Sequence, residues 1–118
     1  MYLTPQESPL PNIHSDRNGL TVFASENEGT VGHLYNVIGP RLLAEVTFQN
    51  GPVKTHGVNG ATSEAYLAIL IHRTEVLNAQ FPCKENEEAL TYMRAALQSF
   101  ESRTANRLGR GVEGTAAL

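Results

Sequence analysis

The hydrophobic pattern of the chain changes its period once, at Asn59 and Gly60. Before this pair, apolar residues recur at alternate positions, which is typical of strands. After it they recur every three or four positions, which is typical of helices. Asn-Gly is also a strong turn signal. The change of period therefore predicts an α+β fold in which a strand region precedes a helical region.

Three segments between residues 18 and 58 predict strands: GLTVFAS, VGHLYNVI and LLAEVTFQ. The sequences ENEG and GPR between them are typical of turns, and short strands joined by tight turns predict an antiparallel meander. VKTHGV predicts a short fourth strand. The proline-rich residues 1–17 predict a flexible arm, either a mobile tail or an arm at the edge of the sheet. We expect residues 18–118 to form a single domain, since the chain length allows one modest core.

Residues 61–110 predict two helices joined by a short link. Thr62 or Ser63 can cap the first helix, and the segment Asn78–Pro82 interrupts it. A second helical pattern follows and ends at the sequence GRG, where glycine favours a helix terminus. Two helices with a short link predict an antiparallel hairpin, and residues 111–118 then form a C-terminal tail.

The composition excludes several classes of function. The 118 residues carry a net charge of −3, so no overall basic field attracts a DNA or RNA polymer or a membrane. The longest apolar stretch, AYLAILI, is too short to span a bilayer, and the N-terminus lacks a signal pattern. One cysteine, Cys83, excludes an internal disulfide and suits a reducing cytosol.

The sequence contains no recognisable catalytic or metal-binding set. The four histidines are scattered without an H-x-x-x-H pair, which argues against a metal site. No P-loop pattern is present. Cys83 and the paired glutamates Glu87 and Glu88 are better explained by burial and by a solvated helix start. We therefore expect a protein that is not an enzyme and needs no cofactor.

The second predicted helix carries an apolar stripe with coiled-coil spacing, formed by Ala89, Met93, Ala96 and Phe100. The same spacing continues onto three arginines: Arg103, Arg107 and Arg110. Two interpretations remain open. The arginine stems could cover the end of the hairpin while their heads reach water. Alternatively, the guanidinium groups form an anion pocket where two hairpins meet, because arginine binds phosphate in a bidentate manner and stacks on purine rings.

Three further residues are ligand candidates with ordinary alternatives. Asn86 could read an adenine edge or help to cap its helix. Phe81 could stack on a base or plug the link of the hairpin. Asn59, among neighbouring glycines, could bring the backbone close to a ligand or simply form a tight turn.

The sequences FQNGPVKTHGVNGATSEAYLAILIHR, FPCKENEEAL and RTANRLGRGVEGT resemble a family of phage proteins. The resemblance spans residues 48–115. It is to the helical-hairpin signal sponges, namely the Thoeris anti-defence proteins of the first type and the anti-CBASS hairpin proteins. The strands before the hairpin are similar to the Thoeris branch, because the anti-CBASS proteins are shorter and essentially helical.

The resemblance implies a protein that sequesters a nucleotide immune signal and leaves it intact. The implied ligand is a cyclic ADP-ribose isomer such as glycocyclic ADP-ribose, with cyclic trinucleotides or dinucleotides as further candidates. It also implies a homo-oligomer, a dimer that assembles to a hexamer, in the cytoplasm of an infected or lysogenic bacterial host. A nucleic-acid-binding module and a hydrolase of the cyclic nucleotide are the alternative functions.

Matched by motif, Asn86 and Arg103 fall on positions that contact the cyclic ADP-ribose in the Thoeris branch. The resemblance implies that Arg103 stacks on adenine and pairs with the pyrophosphate. The family usually has a Phe upstream of that Asn, whereas Val76 or Leu77 occupies its place here and Phe81 lies nearby. A second phosphate site at an oligomer axis is expected from three residues: Thr104, Arg107 and Arg110.

Overall fold

A computed structural model describes residues 12–115 of the chain. In that range it contains four strands and three helices: β1 Asn12–Ser15, β2 Thr21–Ala24, β3 Leu34–Ile38, β4 Leu42–Thr47, α1 Val53–His56, α2 Ser63–Gln80 and α3 Lys84–Gly109. This order confirms the predicted α+β class, an antiparallel meander followed by a helical hairpin.

The last residues of the predicted N-terminal arm form a strand in the structure. Residues 1–11 lie outside the described residues, whereas Asn12–Ser15 form strand β1 and pair with β2. Asp16 closes this hairpin, because its carboxylate accepts hydrogen bonds from the backbone N–H groups of Asn18 and Leu20, at 2.9 and 3.2 Å. Such an Asx turn is a local polar signal, and it lets the sheet begin before the first apolar strand.

The chain divides into two compact units. The first contains the four strands and residues 58–60. The second contains residues 51–57 and the chain from residue 61 onward, with all three helices of the described range. The expectation of a single domain over residues 18–118 stays a prediction.

The four strands form an antiparallel sheet in the order β1-β2-β3-β4. Phe23 and Ile38 are its buried apolar residues, and the ring of Tyr35 meets that of Phe48 edge to face with centroids 5.8 Å apart. Gly60 lies against the strand end, where a Cβ atom would come within 2.4 Å of the backbone carbon of Phe48. Glycine is therefore required at this close approach.

The prediction of a fourth strand at VKTHGV is wrong, because Val53–His56 form the short helix α1. Pro52 precedes the helix with extended geometry and its carbonyl accepts the N–H of His56 at 2.8 Å. Gly57 ends the helix at a φ of +70°. Proline before a helix and glycine after it are typical boundary residues, and they outweigh a four-residue alternation.

The two long helices run antiparallel, as predicted. Thr62 caps α2, since its hydroxyl oxygen accepts the N–H of Ala65 at 3.1 Å. Three side-chain contacts tie the helices together along their length: Asn78–Glu87 at 2.9 Å, Glu75–Arg94 at 2.7 Å and Glu64–Thr104 at 3.1 Å. As the residue number falls on α2 it rises on α3, which sets the antiparallel register.

The packed face of α2 differs from the line of Leu67, Leu70, Thr74 and Leu77, although these residues also have helical spacing. The more covered residues of α2 instead follow a regular three-and-four spacing: Glu64, Leu67, Ile71, Thr74 and Asn78. Leu70 and Leu77 lie on the flank of this packed line and are exposed. Helix α2 is apolar around most of its circumference, so apolar spacing alone could not distinguish its inner face from its outer one.

Candidate ligand site on the hairpin

The predicted arginine stripe on α3 separates into exposed and buried members. Arg103 and Arg110 are exposed, whereas Arg107 is buried. A strict seven-residue repeat rotates by about 20° per heptad around a straight α-helix. The line that starts at Ala89 has therefore turned away from the packed face when it reaches Arg103 and Arg110. The covered residues of α3 include Ala89, Met93 and Ala96 of the predicted stripe, and towards the end of the helix they continue on a neighbouring line: Leu90, Leu97, Thr104 and Arg107.

Arg103 presents its guanidinium group to solvent. Within residues 12–115 it has neither a hydrogen bond nor an ion pair. An unpaired guanidinium keeps all five N–H donors for an external group and has the planar shape that matches phosphate. Of the predicted ligand residues, Arg103 is therefore the cation whose donors are most fully available.

Arg107 has partners within its own chain. Its Nη2 atom donates hydrogen bonds to the carbonyl oxygens of Val112 at 2.9 Å and Thr115 at 3.0 Å. Its Nε atom lies 3.5 Å from a carboxylate oxygen of Glu113. The side chain is only 7% exposed. This geometry gives Arg107 a role in holding the end of the chain, unlike the phosphate role expected from the sequence.

The other two residues of the predicted second phosphate site are also engaged within the chain. The hydroxyl of Thr104 donates to Glu64 at 3.1 Å, across the hairpin. Arg110 caps the end of α3, and its Nε atom donates to Asn106 at 3.0 Å. Arg110 is exposed, so part of its guanidinium group still faces solvent. The expected second site therefore stays a prediction, with Arg110 its most available donor.

The link between the helices places the remaining candidates at the tip of the hairpin. Asn78 closes the link, because its Oδ1 accepts the N–H of Cys83 at 3.1 Å and its Nδ2 donates to Glu87. Asn86 lies in the first turn of α3 and is half-buried; the cap of that helix is the Cys83 sulfur, which accepts the Asn86 N–H at 3.4 Å. The Asn86 carboxamide has no partner among the described residues.

Two apolar side chains are exposed near this tip. Phe81 follows α2 and is 75% exposed, so it does not plug the link of the hairpin. Leu77, one turn earlier, is 36% exposed. An exposed aromatic ring at the same end of the hairpin as an unpartnered carboxamide provides two groups that suit a flat, polar heterocycle.

The two ends of α3 are far apart. Asn86 and Arg103 are 17 positions apart on one continuous helix, which corresponds to roughly 25 Å at 1.5 Å per residue. No single compact cyclic nucleotide spans that length. The hairpin of one chain therefore does not bring Asn86 and Arg103 into one pocket.

Asn59 belongs to the first unit and is occupied there. Its Oδ1 accepts the N–H of Asn50 at 2.8 Å, its Nδ2 donates to the Asn50 carbonyl at 2.7 Å, and its own N–H donates to Gln49 at 3.0 Å. These bonds close the loop over residues 50–59. The structure thus favours the turn interpretation of Asn59.

A shallow groove of about 310 Å³ lies at the open end of the hairpin, where α2 begins and α3 ends. Its lining residues are Glu64, Glu101, Thr104, Ala105 and Leu108. Two carboxylates face this groove, so its field opposes a phosphate. The groove is therefore a poor match for an anionic ligand in the isolated chain.

The described residues 12–115 contain no group of histidines, cysteines or carboxylates that could hold a metal ion. In the same part of the chain, neither long helix has a stretch apolar enough to cross a bilayer.

Comparison with known proteins places the hairpin in a family. The model of the Acb2/Tad1 hairpin domain matches residues 43–105, which is more than half of the chain. The chain belongs to the Acb2/Tad1 hairpin-domain family. The matched range begins within β4, contains both long helices as far as Ala105, and includes Asn86 and Arg103.

A relative from Bacillus phage SBSphiJ7, described as Thoeris anti-defense 1, is 47% identical over 74 residues. The aligned region covers 62% of this chain and 52% of the relative, so the chain spans about half the length of the curated relative that it matches.

Arg107 and Arg110 lie beyond the range matched by the Acb2/Tad1 hairpin-domain model. Sequence reasoning assigned them to a ligand because their spacing continued the apolar seam. It missed that carbonyl oxygens of the sequence VEGT, only a few positions later, could accept the Arg107 donors. A glycine on either side of Val112 and Glu113 was the available signal, since such a segment can fold back on a helix end.

Proposed function

We propose that this member of the Acb2/Tad1 hairpin-domain family is an anti-defence protein that binds a cyclic nucleotide immune signal and sequesters it without cleaving it. The description of its phage relative as Thoeris anti-defense 1 supports this function. The ligand class is a cyclic ADP-ribose isomer, as the sequence resemblance implies. The protein acts in the cytoplasm of the bacterial host.

The free guanidinium of Arg103 is the observation that carries the proposal. It is exposed and unpaired within the described chain, and it lies in the range that the family model matches. A pyrophosphate accepts two parallel hydrogen bonds from such a group, and an adenine ring can stack on its plane. Binding by these contacts needs no nucleophile, metal or general base.

The pocket is built from two chains. Asn86 and Arg103 are roughly 25 Å apart in one hairpin, so both can reach one ligand when the tip of one hairpin meets the open end of another. A two-fold antiparallel arrangement achieves this and makes two equivalent pockets. Each pocket then combines Asn86, Leu77 and Phe81 of one protomer with Arg103 of its partner.

The outer face of α2 is suited to hold the two chains together. The face and the residue that follows the helix expose five large apolar side chains, of which Phe81 at 75% and Ile69 at 62% are the most exposed: Ile69, Leu70, Val76, Leu77 and Phe81. A helix that is apolar on both sides is usually covered on both sides. Burial of this face in a dimer, and further assembly of dimers to a hexamer, removes the apolar surface from water.

A rigid cyclic ligand suits sequestration. Such a ligand loses little conformational entropy when it binds, so a few charged and stacking contacts are sufficient for tight binding. A nanomolar dissociation constant corresponds to about −12 kcal/mol, which is within the range of non-covalent complexes.

A capture-and-release experiment tests the proposal. Purified protein is mixed with glycocyclic ADP-ribose, filtered to remove free ligand, and then denatured by heat. Mass spectrometry of the released material is expected to recover intact ligand only after denaturation. Altered ligand would instead indicate a hydrolase, and full recovery in the first filtrate would reject binding of this ligand. A cyclic trinucleotide is tested in parallel.

The matched variants are Arg103→Ala and Arg41→Ala. Both arginines are exposed and unpaired among the described residues, but Arg41 lies in the turn between β3 and β4 rather than on the hairpin. Arg103→Ala is expected to release the ligand into the first filtrate, and Arg41→Ala to retain it. Equal retention by both variants would reject the role of Arg103.

A further inference from the structure

The last described residues, 110–115, fold back along the end of α3. The N–H of Gly111 donates to Leu108 and that of Val112 donates to Arg107, both at 3.0 Å, and the N–H of Thr115 donates to Val112 at 3.1 Å. Gly111 permits the reversal with a φ of +71°. These bonds account for the direction of the backbone but use none of the side-chain donors of α3.

The buried side chain of Arg107 holds this segment against the end of α3. Its guanidinium group bonds the carbonyl oxygens of Val112 and Thr115, and it lies beside the carboxylate of Glu113. The Glu113 oxygen nearest to it, Oε2, is shielded from solvent, and the other carboxylate oxygen accepts the N–H of Gly114 at 3.1 Å. A shielded carboxylate is stable beside a guanidinium group and unfavourable without one. The geometry therefore makes Arg107 and Glu113 a matched pair.

The folded-back segment is also attached to α1. The N–H of Lys54 donates to the carbonyl of Gly114 at 3.1 Å. Gly114 has a φ of +78°, and a Cβ atom there would lie 3.4 Å from Cγ of Lys54. The aliphatic stem of Lys54 thus lies directly over Gly114. Through this contact the C-terminal segment joins residues 51–57 to the hairpin, in agreement with their place in the second unit.

We propose that residues 107–115 form a clasp, locked by Arg107 and Glu113, which fastens α1 to the end of α3 and withholds Arg107 from ligand. The clasp itself is independent of the proposed function. Its consequence rests on that function: at the open end of the hairpin, Arg103 and the exposed part of Arg110 are the cations that an anionic signal can reach. The sequence VEGT thereby acts as an internal acceptor for Arg107.

Hydrogen exchange and thermal melting of the ligand-free protein test the clasp. Arg107→Ala is expected to abolish the protection of the amides of Lys54, Val112 and Thr115 and to lower the melting temperature by roughly 5–10 °C. Arg103→Ala, a matched control on the same helix, is expected to leave both readouts unchanged. Glycocyclic ADP-ribose binding is then measured for each variant that melts cooperatively.

Gly114→Ala serves as a second variant because it retains Arg107. A side chain at positive φ beside Lys54 is strained, so this variant is expected to lose the protection of the Lys54 amide while the amides within α2 and α3 keep theirs. This variant therefore tests the clasp even if Arg107→Ala fails to fold.

Two results would overturn the clasp. One is an Arg107→Ala protein with unchanged melting and exchange but greatly weakened ligand binding, which would make Arg107 a ligand residue. The other is normal protection of Lys54 in Gly114→Ala. Failure of the proposed function gives a different result. Arg103→Ala would then leave ligand retention unchanged, while the hydrogen exchange of Arg107→Ala would still support the clasp.

Discussion

The two ends of the hairpin use their polar side chains in parallel ways. At the open end, Thr104 bonds Glu64 and Arg107 fastens the clasp, while Arg103 remains unpaired within the described chain. At the tip, Asn78 closes the link and the Asn86 carboxamide remains without a described partner. Each end is thus stabilised by its own polar contacts and leaves one side chain suited to a ligand.

The difference between the ends is chemical. The open end offers a cation, and the tip offers a neutral amide and an exposed aromatic ring. A nucleotide requires both kinds of contact, one for its phosphates and one for its base. Because the ends are roughly 25 Å apart, the proposed function requires that unlike ends of two chains meet.

The largest expected effect is the loss of ligand binding in variants of either end, and its partial recovery when the two variants exchange subunits. Asn86→Ala and Arg103→Ala are each expected to lose most ligand binding, about 100-fold or roughly 3 kcal/mol for the arginine, because truncation leaves the ligand phosphate unpaired. When the two variants are mixed and allowed to exchange subunits, half of the dimers are mixed and each mixed dimer has one intact pocket. About a quarter of the wild-type capacity should return, as measured by isothermal titration calorimetry.

The control for subunit mixing is the double variant Asn86→Ala/Arg103→Ala mixed with wild type. Its mixed dimers have no intact pocket, so subunit exchange should lower the capacity from about half of the wild-type value to about a quarter. Subunit exchange itself is followed by native mass spectrometry. Exchange without recovery in the first mixture, together with a capacity that stays at about half in the second, would mean that both residues serve pockets within one chain.

A charge on the outer face of α2 should separate the chains. Ile69→Glu places a carboxylate in the exposed apolar face, where its burial in a dimer would be costly without a partner. We expect size-exclusion chromatography with light scattering to show a smaller species, with ligand binding lost in parallel. Gln98→Glu, at an exposed position of α3, is the matched control and should assemble normally. An Ile69→Glu protein of unchanged mass would exclude this face as the interface.

Much of the fold was predictable because it depends on local signals. The change of period at Asn59 and Gly60, the cap at Thr62 and the link before Cys83 each act within a few residues, and the helices begin and end close to the expected places. Val53–His56 was predicted wrongly as a strand, because a four-residue alternation is too short to outweigh the flanking Pro52 and Gly57.

The site was less predictable because it depends on which face of a helix is covered. Arg103 and Arg107 carry the same side chain at neighbouring positions of the stripe, but four residues rotate by about 40° net around an α-helix, which separates their environments. Position along the sequence could not show that Arg107 is enclosed by carbonyl oxygens whereas Arg103 is free. The assignment of Arg103 and Asn86 to a ligand came from the family motif and stays a prediction.

The aromatic ring at the tip should contribute a moderate part of the affinity. Phe81→Ala removes a ring that is exposed in the isolated chain, so it should barely change the stability of the hairpin. Stacking on a base is worth about 1–3 kcal/mol by alanine substitution, and we therefore expect roughly tenfold weaker binding in calorimetry. Phe81→Tyr, which keeps the ring, should bind normally. If Phe81→Ala and wild type bind equally, Leu77 alone forms the apolar side of the pocket.

The smallest expected effects concern the polar contacts that close each end. Asn78→Ala removes two hydrogen bonds of the link, one to the Cys83 N–H and one to Glu87. Thr104→Val removes a single bond to Glu64. At about 1 kcal/mol per bond, the tip variant should lose roughly 1–2 kcal/mol of unfolding free energy and the open-end variant about 1 kcal/mol or less. Urea unfolding monitored by circular dichroism measures both. A larger loss for Thr104→Val would show that Glu64 and Thr104, rather than Asn78, determine the stability of the hairpin.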